Sequence, residues 1–222
     1  MKKKGLGLRS FRSELLLICI VPLIALVGIV IGVVSNSMKE GMQQQAIQSL
    51  QASATAVKAS YVHLNDGDFY VDKSGNFMKG DYNITENMVA IDEFTQGLTT
   101  DVTLFFGDTR MATSLLDKSG NRIIGTQAGE QVIQKVLKGG EIFTSNNTVI
   151  NDQNYYCYYM PLENPDGSII GMVFAGQPSE EVDNFITSKI LTVITIAIIC
   201  TVIISMLAII IASIIYLNFN RS

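Results

Sequence analysis

Two stretches of this sequence carry no charged residue, and they limit what the chain can become more than any other feature. Residues 15–34 read LLLICIVPLIALVGIVIGVV and residues 190–217 read ILTVITIAIICTVIISMLAIIIASIIYL. At about 1.5 Å of rise per residue the first run spans roughly 30 Å as a helix, the hydrocarbon thickness of a bilayer. It is also longer than the apolar part of a cleaved leader, about 7 to 15 residues, which favours an uncleaved anchor over a signal peptide. Lys2, Lys3, Lys4, Arg9 and Arg12 precede the first run, whereas Lys39 and Lys58 are the cations that follow it. The positive side stays inside, so the amino terminus is expected in the cytoplasm. The chain then divides into a basic leader, 1–14, a first span, 15–34, an outer segment, 35–189, a second span, 190–217, and a cytoplasmic stub, 218–222. That is a multi-pass protein of the inner (plasma) membrane, in contact with lipid, with its middle segment extracellular or periplasmic.

The hydrophobic share of 48% is therefore an average over unlike parts, and function has to be sought in the outer segment. The net charge of −4, with no basic run outside the leader, argues against nucleic acid as a partner. Of three cysteines only Cys157 lies outside the spans, and His63 is the single histidine. Such a set forms neither a disulfide framework nor a metal cluster, so no cofactor or metal is expected. A hydrolase would need a base near its nucleophile, and the one histidine sits far in sequence from any candidate serine. No catalytic residue is assigned and the chain is not expected to be an enzyme.

Within the outer segment, Met38, Met42, Ala46, Leu50, Ala54, Val57, Tyr61 and Leu64 recur at spacings of three and four, the apolar stripe of one long helix. The stripe serves either packing within the domain or a dimer seam, and a homodimer is expected. After Leu64, FYVDKSGNFMKG, LLDKSGNRII and PLENPDGSIIG set short apolar runs on either side of Asp, Gly, Ser and Asn, the grammar of hairpins. Asp117, Gly120, Asp166 and Gly167 are assigned to their turns. NITENMVAIDEFTQGL predicts a short helix capped by Thr85, with Met88, Ile91 and Leu98 on one side; TQAGEQVIQKVLKGG predicts a second, ending at Gly139 and Gly140. The strands DVTLFFG, TRMATSLL, NRII, EIF, TVI, NYYCYYMPL and SIIGMVFAG follow one another with short turns. The fold class is thus α+β, an antiparallel sheet of five or six strands with helices on one side and a concave face on the other.

The words NITEN, DVTLFFGDTRMATS, GNRIIGT, EQVIQKVLKGG and YYMPLENPDGSIIGMVFAGQPS, in this order between two spans, resemble the single Cache domains of bacterial methyl-accepting chemotaxis proteins. The resemblance covers about 35–189 and implies a PAS-like extracellular sensor that binds a small molecule, a carboxylate or an amino acid, and signals across the membrane. It leaves two expectations for the extent of the chain, the sensory portion of a longer receptor, which is favoured, or a naturally short chain. The same domain serves histidine kinases and cyclases, and a membrane assembly subunit is a further alternative.

In TRMATSLL, strict alternation puts Arg110, Ala112 and Ser114 on one face and Thr109, Met111 and Thr113 on the other. The related citrate-type sensors hold their ligand with an arginine on this strand and a polar residue three further on, the places of Arg110 and Thr113 here. For both to face one cavity, a bulge must intervene. The strand NYYCYYMPL is expected to line the same cavity with Tyr156 and Tyr158, so the expected ligand set is Arg110, Thr113, Ser114, Tyr156 and Tyr158. One guanidinium suits a small acid better than a tricarboxylate. The competing reading pairs Arg110 with Asp108, Asp101 or Glu163 at the rim of the sheet. Arg122, just after a turn, is expected to be solvated.

Overall fold

A computed structural model describes residues 5–219. Lys2, Lys3 and Lys4 of the expected leader, and residues 220–222 of the expected stub, lie outside the described residues. The chain divides into two compact units, one of residues 42–184 and one of residues 1–41 with 185–222.

The second unit holds the apolar runs. They belong to helices α1, Gly5–Val62, and α4, Ser179–Phe219. Both helices are long and apolar enough to cross a bilayer, and their most apolar stretches bury nothing inside the protein. A core helix of that composition would be covered by the rest of the protein.

In the first unit the hairpin grammar becomes two sheets. Strands β1 (Phe69–Val71), β2 (Phe77–Lys79) and β3 (Tyr82–Asn83) form a small antiparallel sheet. Strands β4 (Asp101–Phe106), β5 (Thr109–Thr113), β6 (Phe143–Ile150), β7 (Gln153–Glu163) and β8 (Ile169–Pro178) form the main one, in the order β5-β4-β8-β7-β6, antiparallel throughout. The two DKSG turns are built alike: the Asp72 carboxylate accepts the Ser74 and Asn76 amides, and the Asp117 carboxylate those of Ser119 and Asn121. Gly75 and Gly120 each take a φ of 85°, which a β-carbon disfavours.

The register separates the faces of the main sheet. Thr103, Phe105, Phe174, Met172, Tyr155, Cys157 and Tyr159 lie on one side, where Val132 and Val136 cover them. These two come from a helical turn, α3 (Glu130–Val132), continued by a π-helical turn, Ile133–Lys138. The other side carries Val102, Leu104, Tyr156, Tyr158 and Val173 and faces α1: Val102 and Val57 border one groove, and Gln43 Nε2 donates to the Tyr156 hydroxyl at 2.9 Å. The predicted α1 stripe is buried over Leu50, Ala54, Val57 and Tyr61, while Leu64 falls beyond the helix and is exposed.

Several expected elements differ. NRII makes no strand: Arg122 forms a lone bridge to Leu116. Of EIF only Phe143 enters a strand, which runs on through TVI as β6 with an irregularity in its pairing between Ser145 and Thr148. Helix α2, Val89–Thr95, begins after Met88, and Thr85 does not cap it, because the Thr85 hydroxyl accepts the Phe77 amide at 2.8 Å. Ile91 is buried as expected, but Leu98 is exposed.

Candidate functional site

Strand β5 holds Arg110 through a bulge. Leu104 pairs with Ala112 and Phe105 with Arg110, so Met111 is the extra residue. It rotates Arg110 onto the side of Phe105 and Thr113 and leaves Ala112 on the other, correcting the strict alternation that grouped Arg110 with Ala112 and Ser114. The guanidinium lies 5.4 Å from the centre of the Phe105 ring.

The segment after Gly125 runs beside β5 and completes the setting. The Arg110 amide donates to the Thr126 carbonyl at 2.9 Å, the Gly125 amide to the Arg110 carbonyl at 2.8 Å, and the Ala128 amide to the Asp108 carbonyl at 2.9 Å. This backbone pairing brings the Thr126 hydroxyl to 2.7 Å from Arg110 Nη1, where it accepts a hydrogen bond.

Arg110 borders a cavity of about 430 Å³ whose walls include Thr126, Gln127, Tyr159, the end of β6 from Thr148 to Ile150 and Asn151 after it. The β6–β7 turn beside it is tight, with Asn151 and Asp152 at φ of 50° and 64°. Lys118 Nζ meets Asp152 at 2.9 Å and Asn151 Nδ2 donates to the Leu116 carbonyl at 3.4 Å, so this turn is tied to the 114–123 loop. Asp117 also borders the cavity, but its carboxylate is engaged in the DKSG turn and held below the usual range by those amide hydrogen bonds.

Arg110 is 6% exposed, and its Nε is buried without a partner. Burial pulls its guanidinium pKa down, while Tyr159 and Cys157 oppose that shift. Among the described residues the ion pairs are Lys58–Glu163, Lys118–Asp152 and Arg122–Asp92, and none involves Arg110. The rim pairing considered from sequence therefore does not form. Asp101 takes the hydroxyls of Ser114 and Tyr155, Asp108 those of Thr109 and the Gln127 amide, and Glu163 the Lys58 ammonium.

Of the five residues expected to hold a ligand, Arg110 alone borders this cavity. Thr113 shares its face, but its hydroxyl is 2.6 Å from Thr103 Oγ1 inside the sheet, and Ser114 is spent on Asp101 and the Val102 amide. Tyr156 and Tyr158 point to the α1 side, with Tyr156 between Gln43 and Asp183, whose Oδ1 lies 3.2 Å from its hydroxyl. Both faces of β7 are buried, so its alternation could not tell which tyrosines lie on the cavity side; the register puts Tyr155 and Tyr159 there, and Tyr159 borders the cavity. Thr126 was missed because nothing periodic marks a hydroxyl carried in by loop pairing. Arg122 is half-buried and engaged, not freely solvated: it takes Asp92 with both carboxylate oxygens, at 2.8 and 2.7 Å, and donates to the Thr113 carbonyl.

Residues 82–189 match the family described as single Cache domain 3. No curated protein matches the sequence. Among solved structures, the chain is similar to the ligand-binding domain of the Campylobacter jejuni chemoreceptor Tlp3 in complex with L-valine, at 16% identity and a TM-score of 0.43 over 83% of this chain and 68% of that one. It is similar to the Escherichia coli DcuS sensor domain at 12% identity and a TM-score of 0.40, over 68% of this chain and 98% of that one. For the ligand-binding domain of the Pseudomonas aeruginosa amino acid chemoreceptor PctC in complex with GABA, the values are 10% and 0.40 over 70% of this chain and 64% of that one. The main sheet, its helical cover and the buried arginine all fall inside the stretch that matches the single Cache domain 3 family.

Proposed function

We propose that the outer segment, 35–189, is the sensor of a chemoreceptor-type membrane protein, and that the cavity beside Arg110 receives one small carboxylate from outside the cell. The observation that carries this reading is the buried Arg110 guanidinium, which borders a cavity and has no carboxylate of its own among the described residues. A charge taken out of water without a partner is costly, and a carboxylate ligand supplies that partner through charge-assisted bonds. A cavity of about 430 Å³ is of the size that holds small ligands. In this reading Arg110 is the anchor, Thr126 fixes the fork of the guanidinium, and Tyr159 closes the wall; Thr113, Ser114, Tyr156 and Tyr158 leave the ligand set.

Transmission follows from strand β7, which carries Tyr159 toward the cavity and Tyr156 toward the helices. Through Gln43 and Asp183 the Tyr156 hydroxyl joins α1, β7 and the start of α4. A ligand that draws β7 toward Arg110 changes the geometry of this junction, and it biases the receptor by its differential affinity for the two geometries.

The test is a thermal-shift screen of the full chain in detergent against small carboxylates, amino acids and neutral metabolites, with Arg110→Ala beside it. A ligand at a hundred times its Kd stabilises by about 2.7 kcal/mol, which in a chain of this size raises the Tm by roughly 5–10 °C. The expected result is such a shift from one acid in the native chain and none in the variant. Shifts from uncharged molecules alone, or from an acid equally in both chains, would overturn the reading.

A further inference from the structure

A second cavity of about 430 Å³ lies where the end of α1, strand β2 and the end of β7 meet, bordered by Lys58, His63, Asp66, Lys79, Glu163 and Asn164. It shares no residue with the cavity of Arg110. Its floor is Lys79, which is 1% exposed. The Lys79 ammonium donates to the Gly67 carbonyl and lies 4.7 Å from the centre of the Phe69 ring. It has three donors to place, and no ion pair among the described residues includes it.

The backbone that carries Lys79 cannot move aside. Asn65 Nδ2 donates to the Lys79 carbonyl at 2.8 Å, the Gly67 amide donates to Asn65 Oδ1 at 3.0 Å, and the Gly80 amide to the Asp68 carbonyl at 2.9 Å. Gly67 and Gly80 approach so closely that a β-carbon on Gly67 would stand 2.4 Å from the Gly80 α-carbon. The two carboxylates at the cavity do not serve Lys79. Glu163 is taken by Lys58 at 2.5 Å, and Asp66 is exposed to water. A carbonyl that needed only a staple is served by a neutral donor, whereas a buried ammonium beside a cavity demands a counter-charge.

We propose that this second cavity binds a small oxyanion, the carboxylate or phosphate group of a compact molecule, with Lys79 as its charge partner and the exposed His63 as a second donor at the mouth. The site stands independently of the Arg110 reading and gives the domain two anion sites on separate elements. The test is calorimetric titration of the full chain in detergent with sodium phosphate and with sodium acetate, each against chloride at constant ionic strength. The chain titrated carries Arg110→Ala, so that acetate at the Arg110 cavity does not enter the readout, and Lys79→Met, Lys79→Arg and Val62→Phe are made in that background. The expected result is saturable uptake of one of the two anions, which also says whether the source is a phosphate or a carboxylate. Affinity falls at least about tenfold in Lys79→Met, as the loss of a charged hydrogen bond requires, and Lys79→Arg restores it in part. Should Lys79→Met fail to fold, Val62→Phe, which fills the cavity from α1 and keeps the lysine, must abolish uptake. Non-saturable uptake, meaning an adventitious ion only, would overturn the proposal. So would uptake that survives both cavity variants, or no uptake of either anion.

Discussion

Two charged side chains on the cavity side of the sheet, Arg110 and Asp101, meet burial in different ways. Arg110 has one neutral hydroxyl, and its charge is left for something else to balance. Asp101 accepts the Ser114 hydroxyl at 2.8 Å and the Tyr155 hydroxyl at 3.2 Å. Burial nevertheless dominates and raises the Asp101 pKa, with both hydrogen bonds opposing it. A carboxyl whose folded pKa lies above its unfolded value adds stability that is full below the unfolded value and is lost as pH rises through the folded one. The native chain should therefore lose Tm relative to Asp101→Asn as pH rises from about 4 toward neutrality, a range that begins near the ordinary carboxyl value. Parallel melting curves across that range would refute the assignment. Cys157 behaves as its surroundings in the sequence imply: burial pushes its thiol up to about 12, and it packs as a small apolar group. Single-residue chemistry of this kind was legible because it depends on residue type and local burial. The partners of Arg110 were not legible, because Thr126 lies sixteen positions away and arrives by backbone pairing.

At the scale of elements, turns were read most closely, since Asp, Ser and Gly at fixed offsets determine their own hydrogen bonds. The bulge at Met111 was needed for Arg110 and Thr113 to share a face, yet no residue type in TRMAT announces it; it arises from pairing with β4. The parity of β7 was hidden for a different reason, because a strand buried on both faces has no polar alternation to read. Strand β8 shows how tightly these elements are fitted. A β-carbon on Gly171 would stand 1.9 Å from the Phe105 carbonyl oxygen, in the middle of the sheet and next to the residue under Arg110. Gly171→Ala should cost about 1–3 kcal/mol of stability, as overpacking does, and weaken any ligand held by Arg110 in the same variant. A melting temperature equal to that of the native chain would show that the sheet yields there at no cost.

For the whole molecule, the apolar runs gave the clearest reading, because length and absence of charge are global properties that no packing detail alters. The expected topology puts the 117–120 turn outside the cell. With Ser119 exposed and Cys157 buried, Ser119→Cys should react with a membrane-impermeant maleimide in intact cells as fully as after lysis. Labelling only after lysis would place that turn inside and reverse the orientation. Strand β7 carries one further consequence. Its odd-numbered side chains, Tyr155, Cys157 and Tyr159, face the Arg110 side, and its even-numbered ones, Tyr156 and Tyr158, face the helices. On the proposed reading, substitutions that retune what is recognised and substitutions that retune what is reported fall on alternate positions of a single strand. A descendant of this chain would then exchange one chemical vocabulary for another while its output grammar stays as it was.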